Sequence, residues 1–206
     1  MADFKLAAEI TLGHEGGLSN DPDDIGKMTY RGISRHFFPG WEGWTIIDRI
    51  IAKYPDSLLN LHILTKKINE EGGEELNDLV WEFYKITFWN VHRLDDCNSQ
   101  KIANELFDSS VNIGNGTVAR WLQEDLNALN YDENPKGARW DELTEDGDIG
   151  RGTIRVLNEA LAYNSKMESR IYKLLDGDQR VYYKNSARKR KTQEKFMGGW
   201  LDNRTE

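Results

Sequence analysis

The chain has one cysteine, four prolines and no long apolar run. Each scarcity excludes something. A lone Cys97 cannot close an internal disulfide, which fits a protein made in a reducing cytoplasm. Its expected place is a small buried side chain. No stretch approaches the roughly 20 apolar residues of a membrane span. The first residues, "MADFKLAAEITLGHEGG", lack a basic segment followed by an apolar core, so no secretory signal is expected. A protein of this kind acting outside the cytoplasm would need another route, such as a membrane lesion. The four histidines (14, 36, 62, 92) are scattered and no HExxH occurs, which argues against a zinc amidase or peptidase. Nothing beside Cys97 resembles a thiol-peptidase signature. No metal or cofactor is expected.

Alternating apolar and polar runs are also few. A large sheet is therefore not expected, and the chain reads as all-α with at most a small β-ribbon in the 20–40 loop. Hydrophobic residues make up 38% and charged residues 30%, as in a globular protein. The expected helices are 3–15, two short ones within 41–70 broken near Pro55, 75–90, 99–112, 117–130, one after the glycine turn at 147–150, and a long basic one over 165–196. Gly198-Gly199 is read as its stop, and 131–138 as a loop. Asp3 and Ser99 are candidate N-caps. The loop near 90–98 divides an N-terminal region, 1–92, from a C-terminal region, 93–206, the two packed as one globular unit.

Charge is uneven. The net charge is −8, yet residues 166–195 hold 10 basic and 4 acidic side chains. Within them "KNSARKRKTQEK" (184–195) is the candidate contact to an anionic cell-envelope polymer or lipid surface. No nucleic-acid-binding motif accompanies it, so nucleic acid is not the expected partner. The protein is expected to be a monomer.

The densest stretch is "HEGGLSNDPDDIGKMTYRGI", His14 to Ile33. On a helical wheel Glu15 falls within about 20° of Phe4 and Ala8, on the apolar stripe. Apolar surroundings and a helix C-terminus both disfavour the ionised carboxylate. A general acid needs that property near neutral pH. Gly16-Gly17 leaves room for a bulky polymer. Asp21, Asp23, Asp24 and Thr29 follow. A carboxylic acid facing a second carboxylate or polar pair meets the needs of glycoside hydrolysis.

Those residues carry a resemblance. Glu15, eight residues, Asp24, four residues, Thr29 is similar to the order in phage-type lysozymes. Glu15, Gly16, Gly17, Pro22, Asp24, Gly26, Thr29, Gly32 and Ile33 more closely resemble the N-terminal signature of glycoside hydrolase family 108. The match departs at Lys27, where the family usually has a second glycine. Downstream, "FWNVHRLDD", "ANELFDSSVNIGNGTVARWLQ", "DGDIGRGTIRVLNEAL" and "RVYYKN…FMGGWLDNR" resemble the peptidoglycan-binding-type region that accompanies the family. The resemblance implies a lysozyme-like helical fold. It also implies a muramidase cutting the β-1,4 bond between N-acetylmuramic acid and N-acetylglucosamine. Glu15 would be the essential acid, and Asp24 and Thr29 helpers that position water or stabilise the cation-like transition state. A lytic transglycosylase is one alternative. A catalytically inactive peptidoglycan-binding or phage structural protein is another.

Candidate substrate contacts are Gly16, Gly17, Tyr30, Asp108 and Asn112. The last two lie four residues apart on one helix face, where they also suit capping of the helix end at Gly114. Trp41, Trp44, Trp89 and Trp121 are candidates for stacking on sugar rings. "DGDIGRGT" (146–153) lacks the ligand spacing of a calcium loop and reads as a turn into a helix.

Overall fold

The computed structural model describes residues 1–13, 17–20, 27–133 and 136–205. They are mostly helical, as the scarcity of alternating runs implied. They cluster as two compact units, Ala8–Thr87, and Met1–Ala7 with Phe88–Glu206.

The first helix, α1 (Phe4–Leu12), begins as expected. The Asp3 carboxylate accepts from the Lys5 amide at 2.7 Å, satisfying one open N–H of the first turn. Phe4, Ala8 and Leu12 are buried, while Leu6 and Ile10 are exposed. The helix was expected to reach Glu15 but closes at Leu12, with Gly13 in a turn. A Cβ on Gly13 would lie 2.5 Å from the Glu9 carbonyl oxygen, so the chain turns where only glycine fits. Glu15 lies outside the described residues.

A three-stranded antiparallel sheet follows: β1 (Leu18–Asn20), β2 (Met28–Tyr30) and β3 (Ile33–Ser34). Leu18 pairs with Tyr30, and Tyr30 with Ile33. Arg31 and Gly32 form the β2–β3 loop, both at positive φ (45° and 81°), the type I′ geometry that matches strand twist. This is the small ribbon that the 20–40 loop was expected to allow.

Next come α2 (Gly43–Lys53), a 3₁₀ turn at Pro55–Leu59 and α3 (Leu61–Tyr84). The break near Pro55 falls where expected. The second helix is not short: it runs to Tyr84 through a kink at Gly73 (φ 51°, ψ −144°). The glycine pair bends the helix instead of ending it. A π-helix over Lys85–Asn90 then adds residues to the turn and shifts its phase. Ile86 is 57% exposed there, and Trp89 is buried.

In the second unit, Phe4, Trp89 and Phe107 pack edge to face, with centroids 5.6–5.9 Å apart. The Ala2 amide donates to the Cys97 carbonyl at 2.8 Å. The helix α4 (Gln100–Ile113) starts at Ser99, whose hydroxyl oxygen accepts from the Ile102 amide at 3.1 Å and whose proton goes to Glu168 at 2.6 Å. Gly114 (φ 108°) ends it, and α5 (Asn115–Ala128) begins at once. Within 131–138, read as a loop, two strands pair antiparallel instead, β4 (Tyr131–Glu133) with β5 (Lys136–Ala138). Its strands are too short for alternation to show. The helices α6 (Arg151–Tyr163) and α7 (Met167–Lys189) complete the packing on α4 and α5.

The expected basic helix stops at Lys189 and passes through a 3₁₀ segment, Lys191–Phe196. Gly198-Gly199 does not stop it: α8 (Met197–Arg204) runs through both glycines. Contacts outweigh the propensity cost of about 1 kcal/mol per glycine. Trp200 stacks on Tyr183 at 4.9 Å, and Arg204 pairs with Asp108 at 3.0 Å.

Asp125 on α5 is 7% exposed, and its Oδ2 has no hydrogen-bond partner among the described residues. Burial, then the neighbouring Asp178 and Glu124 charges, push its pKa from 3.8 up to about 8. The folded state therefore keeps a proton that the unfolded chain releases. This group's contribution to stability is full below about pH 4 and is lost as pH rises towards about 8. Denaturant midpoints across that window should show Asp125→Asn with a flatter slope and greater stability than the parent at pH 8 and above.

Candidate functional site

Within residues 8–87 a cleft of about 460 Å³ opens between the end of α1, the sheet and α3. Leu12, Gly13, Gly17, Tyr30, Arg31 and Asn69 line it, with Ile68, Gly73, Leu76 and Asn77 completing the α3 wall. The wall is apolar at Leu12, Ile68 and Leu76 and polar at Arg31 and the two asparagines. Small-molecule sites share this mixture, in which apolar surface gives area and a few polar groups fix orientation.

The polar groups are held from α3. Tyr30 Oη donates to Asn69 Oδ1 at 2.8 Å, and Arg31 Nη1 donates to Asn77 Oδ1 at 2.8 Å. Tyr84 Oη donates to the Arg31 carbonyl at 2.7 Å, fastening the hairpin turn from behind. Burial pushes the Tyr30 hydroxyl above its ordinary pKa, partly offset by Arg31, so it remains a neutral donor. Trp41 stacks over Tyr30 at 6.3 Å.

Gly17 stands where the chain passes closest to α3. A Cβ there would lie 1.9 Å from Thr65 Cγ2. Thr65 is not free to move away, because its Oγ1 accepts from the Leu18 amide at 2.9 Å. The residue's need for glycine is thus a packing requirement.

The expected site residues separate as follows. Gly17 and Tyr30 both line this cleft. Thr29 precedes Tyr30 on β2 and by strand alternation projects from the other sheet face. Its hydroxyl donates to the Lys27 carbonyl at 3.3 Å. Asp108 and Asn112 sit on α4 in the other unit. Asn112 Nδ2 donates to the Asp108 carbonyl and carboxylate at 2.7 and 3.2 Å. Glu15, Gly16 and Asp24 lie outside the described residues, as do Asp21 and Asp23. Of the stacking candidates, Trp44 and Trp89 are buried and structural, whereas Trp41 and Trp121 are half-buried. Burial raises the Cys97 thiol pKa, so that side chain is a poor nucleophile.

Arg31, Asn69 and Asn77 were missed. Arg31 lies inside the motif, where its turn position could have signalled it. The two asparagines are eight residues apart across the Gly73 kink, so no helical spacing connects them.

Lys27, the departure from the family signature, adopts φ 52°, a left-handed conformation that suits glycine. For a non-glycine residue it costs about 1–2 kcal/mol, of which glycine's greater unfolded freedom offsets roughly half. Lys27→Gly should therefore raise the unfolding free energy by about 0.5–1 kcal/mol, readable as a higher denaturant midpoint. Gly17→Ala should lower it by about 1–3 kcal/mol through overpacking against Thr65. A Gly17→Ala protein as stable as its parent would contradict the close approach.

No curated protein matches the chain. The solved structure of Brucella abortus SagA covers 97% of this chain and 87% of its own, at 19% identity and a TM-score of 0.61, and so shares the fold. Residues 117–205 match the model of a predicted peptidoglycan domain. Residues 8–114, more than half the chain and the whole of the cleft, match the model of glycosyl hydrolase 108. The chain belongs to the glycosyl hydrolase 108 family, with a peptidoglycan-binding-type region following, and is a peptidoglycan-degrading glycoside hydrolase.

Proposed function

We propose that the protein is an N-acetylmuramidase, hydrolysing the β-1,4 bond between N-acetylmuramic acid and N-acetylglucosamine, with Glu15 as the general acid. One observation carries this reading. Gly13 and Gly17, the described residues on either side of the segment that holds Glu15, both line the cleft. A carboxyl delivered there would reach a glycosidic bond held in the cleft. Glu15 then protonates the glycosidic oxygen as the bond breaks. Asp24 and Thr29 position water or stabilise the cation-like transition state. The Thr29 bond to the Lys27 carbonyl ties it to the end of the loop that carries Asp24.

The reading extends to an endolysin of phage type, made in the cytoplasm and released onto the wall. In the basic segment, Lys184, Arg188, Lys189, Arg190, Lys191 and Lys195 are all exposed. Together they suit contact with an anionic envelope surface.

Digestion of purified peptidoglycan, followed by product masses, tests the chemistry. Wild type should release fragments with reducing muramic ends. Glu15→Gln, with native circular dichroism, should lose activity by at least about 10³-fold, since it removes the proton donor. Anhydro-muramic ends would instead assign a lytic transglycosylase. A folded Glu15→Gln protein with full activity would sink the assignment of the acid.

A further inference from the structure

A second crevice, of about 490 Å³, lies in the unit that contains the peptidoglycan-binding-type region and shares no residue with the cleft. It is lined by the start of α5 (Gly114, Asn115, Gly116, Thr117), then Arg120, Trp121 and Glu124, and by Asp146 from the turn before α6.

The crevice is tightly built. Gln123, 1% exposed, binds the 146–148 turn through both ends of its side-chain amide. Its Nε2 donates to Asp146 Oδ1 at 2.8 Å and to the Asp148 carbonyl at 3.0 Å, and its Oε1 accepts from the Gly147 amide at 2.9 Å. The turn lies so close to α5 that a Cβ on Gly147, at φ 80°, would sit 2.8 Å from the Gly116 carbonyl oxygen. Arg120 Nη1 is pinned by the Glu145 carbonyl at 2.7 Å. Trp121 is braced edge-on by Tyr182 at 6.0 Å. Donation from Gln123 and from the Asp148 amide holds Asp146 below the usual carboxylate range, so it remains an acceptor. An aromatic, a guanidinium and a fixed carboxylate therefore wall one preformed space.

We propose that this crevice is a glycan subsite that holds an N-acetylated amino sugar of the peptidoglycan strand against Trp121. The inference rests on the reading of peptidoglycan as substrate. An indole offers flat apolar area to the C–H face of a pyranose ring. Asp146 accepts from ring hydroxyls, Thr117 accepts from or donates to them, and Arg120 donates to an acetamido carbonyl. The charge balance selects the sugar over the stem peptide. Glu124 and Asp146 bring two carboxylates to the rim against the one guanidinium of Arg120. Such a rim repels a carboxylate-bearing peptide and tolerates a neutral sugar.

The test uses the full chain carrying Glu15→Gln, so that bound glycan is not cut. Adding Trp121→Ala removes the platform. Adding Gly116→Gln fills the crevice: a Cβ there meets only the Gly147 carbonyl oxygen, at 4.0 Å, so the fold tolerates it. Co-sedimentation with purified sacculi should weaken by about tenfold in each, as for loss of an aromatic anchor. Titration with an N-acetylglucosamine tetramer should shift the NMR signals of the Trp121 indole and the Gly147 amide, and Gly116→Gln should abolish those shifts. Unchanged sacculus binding in both variants would overturn the proposal. So would shifts produced by a free stem peptide and not by the tetramer. Should Glu15→Gln alone retain full lytic activity, the muramidase assignment of Glu15 fails, and the crevice is then read from the tetramer-induced shifts at Trp121 and Gly147.

Discussion

One helix face organises the cleft unit. Four hydrogen bonds join the small sheet to α3. The Leu18 amide reaches Thr65, Tyr30 reaches Asn69, Arg31 reaches Asn77, and Tyr84 reaches the Arg31 carbonyl. A three-stranded sheet with strands of two and three residues has little stability of its own. Docked on α3 it becomes a fixed wall. The geometry of the cleft, the neutral state of Tyr30 and the demand for glycine at position 17 all follow from that docking.

The kink at Gly73 is part of the same constraint. Asn69 and Asn77 lie on either side of it, and both serve the hairpin. A straight helix turns by about 80° between positions eight apart, beyond whole turns. A glycine in a non-helical conformation between them lets the two asparagines reach adjacent residues of one turn. Here the glycine pair shapes a binding wall, although in sequence it reads as a gap between two helices.

What the sequence made legible follows from which signals are local. Caps are local, and Asp3 and Ser99 begin their helices as expected. The break near Pro55 and the stop at Gly114 are also local. Errors arose where tertiary contact overruled propensity. Gly198-Gly199 is helical because Trp200 has Tyr183 to stack on and Arg204 has Asp108 to pair with. The candidate site divides in the same way. Gly17 and Tyr30 were legible because the motif carries them. Arg31, Asn69 and Asn77 were not, because their role comes from a fold that brings distant residues together. The residue that departs from the signature, Lys27, proved informative: its positive φ shows why a glycine is usual there.

The cleft and the crevice are built by one device. In each, a glycine lets a short irregular segment approach a helix more closely than any side chain would allow. In each, a side chain of that helix then bonds the amide at or beside the glycine. Thr65 does so for Leu18 beside Gly17, and Gln123 for Gly147. The close approach alone would leave a backbone amide desolvated, at a cost of about 1–3 kcal/mol if it stayed unpaired. The side-chain acceptor removes that cost and fixes the register. A glycine and an acceptor that depend on each other make a rigid wall from a loop. A polymer-binding site benefits from such a wall, because a stiff glycan strand is held best by surfaces already in place.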